Sequence, residues 1–351
     1  MNLPASPAYA TVDAPRSLEF HPTTDVSAPA EDGVLVSIAY CGVCATDTHG
    51  YTSGGLIPPS VFGHEWTGTI TAVGAGVEGL SVGQRVVACV GPACGTCAQC
   101  LAGLADTCDT AFAEANGITP DAPAHGGFST ELAVNARRVM PVLDGLTDEQ
   151  AALVEPTAVT FHAVKRVNQR LGSIVVVQGA GPIGLLTAQH ARHAGAGRVI
   201  IVETNPARRD AAAQLGFTDV FEPGPTFTDF LGSTTNGLGA DVLYECTGVA
   251  QLLQKSAELV RRGGILALLG YPGTTSVVSY PDWQSRELTV VGSLAYNHED
   301  FTGAMLAIAS GAVDVVALHT RTIGLAELQD VLEELATGAS IDAKVLVDPR
   351  R

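Results

Sequence analysis

Between Ser173 and Glu203 the chain reads SIVVVQGAGPIGLLTAQHARHAGAGRVIIVE, and this stretch leaves little freedom about the fold around it. Ile174 to Val177 is a continuous apolar run, as expected of a strand buried on both faces of a sheet. It enters Gly179-Ala180-Gly181-Pro182-Ile183-Gly184, a G-x-G-x-x-G turn. Leu185, Ala188, Gln189, Ala191 and Arg192 then fit a helix, Gly195 and Gly197 stop it, and Val199 to Val202 form a second buried strand. Glu203 closes that strand about twenty residues beyond Gly184. A G-x-G-x-x-G alone is a weak signal, but strand, turn, helix, strand and acid in register read as a dinucleotide-binding βαβ unit.

Each residue type in the turn has a physical reason. Gly179 permits the tight turn, Gly181 lets the backbone approach a pyrophosphate, and Gly184 allows close helix–strand packing. Pro182 and Ile183 open the helix, whose free N–H groups and positive dipole end face the phosphates. Glu203 can accept both ribose hydroxyls of an adenosine and repels a 2′-phosphate, so the expected cofactor is NAD rather than NADP. Arg208, counted among the cofactor contacts, and Arg209 soften that preference.

A chain of 351 residues suits about two domains. Its formal charge of −17 argues against nucleic acid or an anionic membrane as partner. MNLPASPAYA lacks a basic segment followed by an apolar core, and no apolar run is long enough to span a bilayer, so a cytoplasmic protein is expected. Cysteines in such a chain point to metal before disulfide. All but Cys246 lie between Cys41 and Cys108, so the first third is expected to carry metal and the middle the nucleotide.

Pro4, Pro7, Pro15, Pro22 and Pro29 suit short edge strands and turns. Val34 to Tyr40 reads as a strand delivering Cys41-Gly42-Val43-Cys44-Ala45-Thr46-Asp47-Thr48-His49; Gly63-His64-Glu65-Trp66 and the strand-like TGTITAVG and QRVVACV follow. Cys94, Cys97, Cys100 and Cys108 form C-x2-C-x2-C-x7-C, four thiolates within reach of one tetrahedral ion. An iron–sulfur loop shares the first spacings, but its last cysteine comes sooner and precedes proline, so structural zinc is the preferred reading. From about Leu146 helices alternate with strands at Ile174–Val177, Val199–Val202, Asp241–Glu245, Ile265–Leu269 and Leu288–Ser293, the pattern of a doubly wound parallel sheet. FTGAMLAIASG and LAELQDVLEELATG read as helices, and KVLVD as a last strand rejoining the β-rich lobe.

Cys44-x-Thr46-Asp47-x-His49, Gly63-His64-Glu65, the four-cysteine loop, Gly126-Gly127-Phe128, Glu155-Pro156, GAGPIG and GADVLYECTG together resemble the zinc-dependent medium-chain dehydrogenase/reductases, through nearly the whole chain. Glu155-Pro156 is similar to the polyol, threonine and butanediol branch. The resemblance implies an α/β fold: a β-rich GroES-like catalytic domain (1–156), a Rossmann NAD-binding domain with a doubly wound parallel sheet (157–295), and a C-terminal segment (296–351) rejoining the first. It implies two zinc ions per chain, one structural and one catalytic. The catalytic ion would be held by Cys44, His64 and a carboxylate, Glu65 or Glu155, between which it can exchange. Asp47 would hold the far nitrogen of His64 or brace the local loop.

The chemistry implied is hydride transfer between NAD(H) and a small secondary alcohol, diol or polyol, or the matching ketone. Zinc makes the hydroxyl acidic near neutral pH; Thr46 first accepts its proton, which passes through the NAD ribose to His49 and solvent. The metal set on one domain facing a nucleotide on the next puts the expected active site in the cleft between them. Cys41, Cys89 and Cys246 read as small buried apolar residues. Trp283 and Tyr296 suit either the substrate pocket or core packing, and Leu318-His319-Thr320-Arg321 departs from the family's order, leaving His319 without a role.

A threonine-type dehydrogenase or biosynthetic ketone reductase is the alternative within the class; a substrate carboxylate would need a cation, and with Lys165, Lys255 and Lys344 as the only lysines, Arg286 or Arg321 would have to serve. Outside it stands a nucleotide-sensing protein with a structural zinc alone. Relatives are commonly dimers or tetramers, so a homo-oligomer is expected. Substrate choice is expected to rest on loops at 46–60, 110–126 and 272–300.

Overall fold

The computed structural model describes residues 8–22, 28–54, 62–115 and 126–351. Pro4 and Pro7, and parts of two loops expected to shape the substrate pocket (55–61 and 116–125), lie outside the described residues. The strands in chain order are β1 (Tyr9–Ala14), β2 (Ser17–His21), β3 (Gly33–Gly42), β4 (Glu65–Val73), β5 (Arg85–Ala88), β6 (Glu131–Asn135), β7 (Val139–Pro141), β8 (Ile174–Gln178), β9 (Arg198–Val202), β10 (Val220–Phe221), β11 (Ala240–Glu245), β12 (Val260–Leu268), β13 (Thr289–Gly292), β14 (His319–Gly324) and β15 (Lys344–Asp348). The chain divides into two compact units, one of residues up to Glu155 with Ala295–Ala309 and His319–Arg351, the other of Pro156–Leu294 with Ser310–Leu318.

In the first unit, β14-β15-β3-β4-β5-β7 make a mixed sheet, with β6 also paired to β3. β3 is its spine: β4 runs antiparallel along one edge, while β6 and β15 share the other, at Gly33–Ser37 and Cys41–Gly42 respectively. Val34, Val36, Ile38, Trp66, Ile70, Phe128, Val345 and Val347 build the core beneath it. β1 and β2 form a separate hairpin, with Tyr9 stacked on His21 at 4.2 Å between ring centroids. The segment after Cys44 is a helix, Ala45–Ser53, closed by Gly54 in the left-handed region. Its residues, ATDTHGYTS, have low helix propensity and no apolar period, so sequence pattern did not announce it. Helices at His298–Ala309 and Leu328–Thr337 match the expected segments.

The second unit holds a parallel six-stranded sheet in the order β10-β9-β8-β11-β12-β13, which reverses direction of progress between β8 and β11. Val175–Val177, Ile200, Ile201, Leu243, Tyr244 and Leu266 are fully buried, which is why these strands read as unbroken apolar runs. Two differences from expectation have local causes. β12 starts at Val260 rather than Ile265, its register slipping where Arg262 and Gly263 turn to solvent. β10 is too short to leave a pattern. Ser310–Leu318 joins this unit, Asp314 exchanging backbone hydrogen bonds of 2.7 and 3.2 Å with the Gln189 amide. No helix among the described residues is long and apolar enough to cross a membrane.

Candidate metal centres and nucleotide turn

In the first unit, β3 ends at Gly42 and the chain turns through Cys44, which caps the helix Ala45–Ser53. Asp47, in that helix's first turn, points back: its Oδ2 accepts from the Cys44 N–H at 2.8 Å and its Oδ1 from the Gly63 N–H at 3.2 Å. The same Oδ1 lies 3.6 Å from Nδ1 of His64. One buried carboxylate thus ties the Cys44 turn to the start of β4, where His64 and Glu65 sit. Burial alone would raise the Asp47 pKa, but His64 and the two N–H donors outweigh it and hold the carboxyl below its usual value. For His64, burial works to lower the pKa, and Asp47 and Cys44 overcome it and lift it well above the usual histidine value.

Sulfur, imidazole and carboxylate atoms of Cys44, His64 and Glu65 all lie within 4.8 Å of one another. Such a set of one soft, one borderline and one hard donor, with three rather than four side chains, fits a zinc ion that keeps an open position. Glu65 has a second partner that sequence reading missed. Both its oxygens lie 2.7 Å from Nζ of Lys344 on β15, which also donates to the Val43 carbonyl at 3.1 Å. Burial works to lower the Lys344 pKa, yet Glu65, Cys44 and Glu155 raise it overall. Gly42 is what admits the Glu65 carboxylate, since a methyl group there would collide with Oε2. Glu155, outside that three-residue group, is also buried. Burial drives its pKa up to about 7, against His64, while Glu65 adds to the rise and a Tyr296 hydrogen bond opposes it. Tyr296 is therefore beside a candidate ligand, packed edge-on to Phe301 at 4.7 Å.

Thr46 and His49 are exposed at i and i+3 on one helix face, with Thr46 Oγ1 3.7 Å from the Cys44 sulfur. Cys41 is buried where Gly63 and Gly127 approach its sulfur, and burial pushes its thiol pKa well up. Burial likewise pushes Cys89 up to about 12. The ring of His319 pairs with Thr322 at 2.8 Å on its own strand.

Cys94, Cys97, Cys100 and Cys108 bring their sulfurs within 4.8 Å of one another. Backbone N–H groups of Cys94 and Ala111 donate to the Cys108 sulfur at 3.3 and 3.5 Å, and that of Cys97 to the Cys94 sulfur at 3.3 Å. Hydroxyls of Thr110 and Thr96 and the N–H groups of Thr96 and Cys97 draw the Cys94 pKa down to about 5. A thiolate cage with four donors fits a closed tetrahedral ion.

In the second unit, the Gly turn joins β8 to the helix Pro182–His193. Gly179 has φ +92°, outside the range of other residues, and a methyl on Gly184 would strike the Gly179 carbonyl. Nothing lies within 4 Å of where a Gly181 side chain would stand, leaving the helix N-terminus and its Pro182-Ile183 opening clear for an approaching phosphate. Glu203, just beyond β9, accepts from the Ala180 N–H at 2.7 Å and the Asn205 N–H at 2.8 Å. Burial acts to raise its pKa, but these amides, Arg208 and Thr204 bring it below the usual value. Arg209 is held by the carbonyls of Glu203 and Thr204 at 2.8 and 2.7 Å. Cys246 is half-buried beside Thr187, rather than fully buried as expected, and burial of its sulfur pushes the thiol pKa up. Trp283 packs on this unit's core, donating to Gln254 at 3.1 Å.

Two family models match: an alcohol dehydrogenase GroES-like domain over residues 30–144 and a zinc-binding dehydrogenase over 182–311. A sorbitol dehydrogenase of Bacillus subtilis is 32% identical over 342 residues, 95% of this chain and 94% of that one. An (R,R)-butanediol dehydrogenase of Neisseria gonorrhoeae is 31% identical over 90% of this chain and 92% of its own. Among solved structures, a 2R,3R-butanediol dehydrogenase from Bacillus subtilis aligns with a TM-score of 0.82 at 27% identity, covering 97% of this chain and 99% of that one. A zinc-binding dehydrogenase of Sinorhizobium meliloti 1021 bound to NADP aligns with a TM-score of 0.86 at 29% identity, covering 99% and 100%.

Proposed function

Because the chain belongs to the zinc-dependent medium-chain alcohol dehydrogenase family, in its polyol and butanediol branch, we propose that it moves a hydride between NAD(H) and a small secondary alcohol, diol or polyol. The observation that carries this reading is the Cys44–His64–Glu65 set, three unlike donors within 4.8 Å of one another. Zinc held there supplies the Lewis acidity that makes an alcohol hydroxyl acidic near neutral pH. On this reading residues 1–156 carry the metal chemistry and 157–295 the nucleotide. The stretch 296–351 returns to the first, apart from Ser310–Leu318.

The chain's own groups then have distinct tasks. Asp47 fixes the orientation of His64 and the turn carrying Cys44. The Thr46 hydroxyl, beside the Cys44 sulfur, takes the substrate proton, and exposed His49 on the same helix face hands it to water. Glu155 supplies a second carboxylate when Glu65 is claimed by Lys344. That pairing also weakens a threonine-type reading, because Lys344 is committed and not free for a substrate carboxylate. In the second unit, Gly179, Gly181, Pro182, Ile183 and Gly184 cradle the pyrophosphate. Glu203, kept anionic, receives the ribose hydroxyls and disfavours a 2′-phosphate, with Arg208 beside it. The four-cysteine cage holds a second, structural zinc, and the working form is a homodimer or homotetramer.

The test is metal counting joined to turnover. Purified protein should contain about two zinc ions per chain, and Cys44→Ser should lose one of them together with NADH formation from butanediol or sorbitol, while NADH binding survives. Undiminished turnover in a metal-free preparation would remove this reading.

A further inference from the structure

The nucleotide unit contains a buried carboxylate for which the hydride-transfer scheme has no task. Glu245 ends β11, next to β8 at the place where the strand order reverses, and its register partners are Gln178 on β8 and Leu268 on β12. In doubly wound sheets the ligand lies outside the carboxyl ends of the strands at that reversal. The backbone leaving β11 therefore forms the side of the groove opposite the Gly179–Gly184 turn. It comes very close to that turn. The Thr247 methyl lies 3.2 Å from where a Gly179 Cβ would stand, and the Cys246 Cβ 3.6 Å from where a Gly184 Cβ would stand.

Glu245 organises this side. Its carboxylate accepts from the Thr247 N–H at 2.7 Å, the Gly248 N–H at 3.2 Å and the Thr247 hydroxyl. The same Thr247 oxygen accepts from the Val249 N–H at 3.1 Å, which passes the constraint one residue further. The Glu245 main-chain carbonyl holds the N–H groups of Leu269 and Gly270, both at 2.9 Å, so one residue fixes the segments after β11 and after β12. Those segments touch backbone to backbone. Gly248 has φ +67°, a methyl on it would lie 2.8 Å from the Tyr271 carbonyl oxygen, and a methyl on Gly270 would strike Gly248. No side chain separates them, so their spacing depends on the hydrogen bonds.

We propose that Glu245 is a positioning residue for the dinucleotide: it holds Thr247–Val249 as the second wall of the groove and so sets how tightly the nucleotide binds. The inference rests on the nucleotide reading of the Gly turn. It assigns the effect to binding, because Glu245 is buried under the wall and its polar atoms face the wall's own backbone. Glutamine at 245 has the same shape, but its amide nitrogen turns N–H toward N–H donors and removes part of the acceptor capacity.

The experiment compares wild type, Glu245→Gln, Thr247→Val and Thr247→Ser by NADH fluorescence titration, steady-state kinetics in NAD and thermal unfolding. Glu245→Gln should weaken NADH binding about tenfold, with the larger part of the kinetic change in KM for NAD rather than kcat. Thr247→Val, which keeps the shape and loses the hydroxyl, should move the same way, and Thr247→Ser should move less. Wild-type affinity in both Glu245→Gln and Thr247→Val overturns the proposal, as does a loss confined to kcat. If Glu245→Gln does not fold, the Thr247 pair decides: equal affinities for the valine and serine variants overturn it. A wild-type chain that binds no NADH would fell the nucleotide reading as well, whereas tight wild-type binding with unaffected variants fells this proposal alone.

Discussion

The ammonium of Lys344 sits 2.7 Å from each carboxylate oxygen of Glu65, itself one of the candidate metal ligands, and both side chains are buried. An ion binding at Cys44 and His64 must therefore compete with a lysine for Glu65. The contact also fastens β15 to the beginning of β4, neither of which is the other's neighbour in the sheet.

Removing one partner of such a pair leaves the other charge buried alone. Lys344→Met should lower the unfolding free energy by about 3–5 kcal/mol, and the double variant Lys344→Met/Glu65→Gln should recover much of the loss. Urea titrations of the three proteins measure this. A single variant as stable as wild type would show that the pair contributes nothing net.

Gly42 faces the same carboxylate. Gly42→Ala places a methyl against Glu65 Oε2, with an expected cost of about 1–3 kcal/mol and a fall in zinc content at the Cys44 site. Gly232 in the helix Pro225–Thr234 has open space around it, so Gly232→Ala serves as the control and should be neutral or stabilising by about 1 kcal/mol. Metal analysis with denaturant unfolding distinguishes the two sites.

His190, on the helix following the Gly turn, is buried, and burial depresses its pKa from 6.5 to about 4. The unfolded chain then binds a proton that the folded chain refuses. This contribution to stability is fully present above about pH 6.5 and is lost as the pH falls toward 4. In His190→Asn the unfolding free energy should depend less steeply on pH across that window, as read from urea midpoints at several pH values. An unchanged slope would place the acid sensitivity elsewhere.

Glu203 is held anionic by Ala180 and Asn205 amides. Neutralising it in Glu203→Gln should reduce the ratio of kcat/KM for NAD over NADP by about tenfold or more, with Arg208 then favouring the added phosphate. Parallel assays with the two nucleotides check this, and a ratio that stays put would move the discrimination to other residues.

What the sequence disclosed follows from how local each signal is. The Gly turn, the four-cysteine loop and the buried parallel strands are written in consecutive residues, because a tight turn, a thiolate cage and a two-faced burial each restrict residue type at short spacing. Lys344 and Glu65 stand 279 residues apart, so no spacing rule could pair them. Helix Ala45–Ser53 escaped notice because capping by Cys44 and Asp47 and packing of Tyr51 support it, with little help from propensity. The pairing that sets Glu65 apart from Glu155 was equally invisible, since the lysine that engages Glu65 lies far along the chain.

β15 pairs with Cys41 and Gly42 on the β3 edge, beyond the point where β6 stops, and it carries the lysine that balances Glu65. During synthesis the first 155 residues emerge without it. The nascent lobe is left with an unfinished hydrogen-bonding margin and an uncompensated acid until the residues of the second unit have been translated. Chaperone demand in the cell should accordingly peak at that intermediate length.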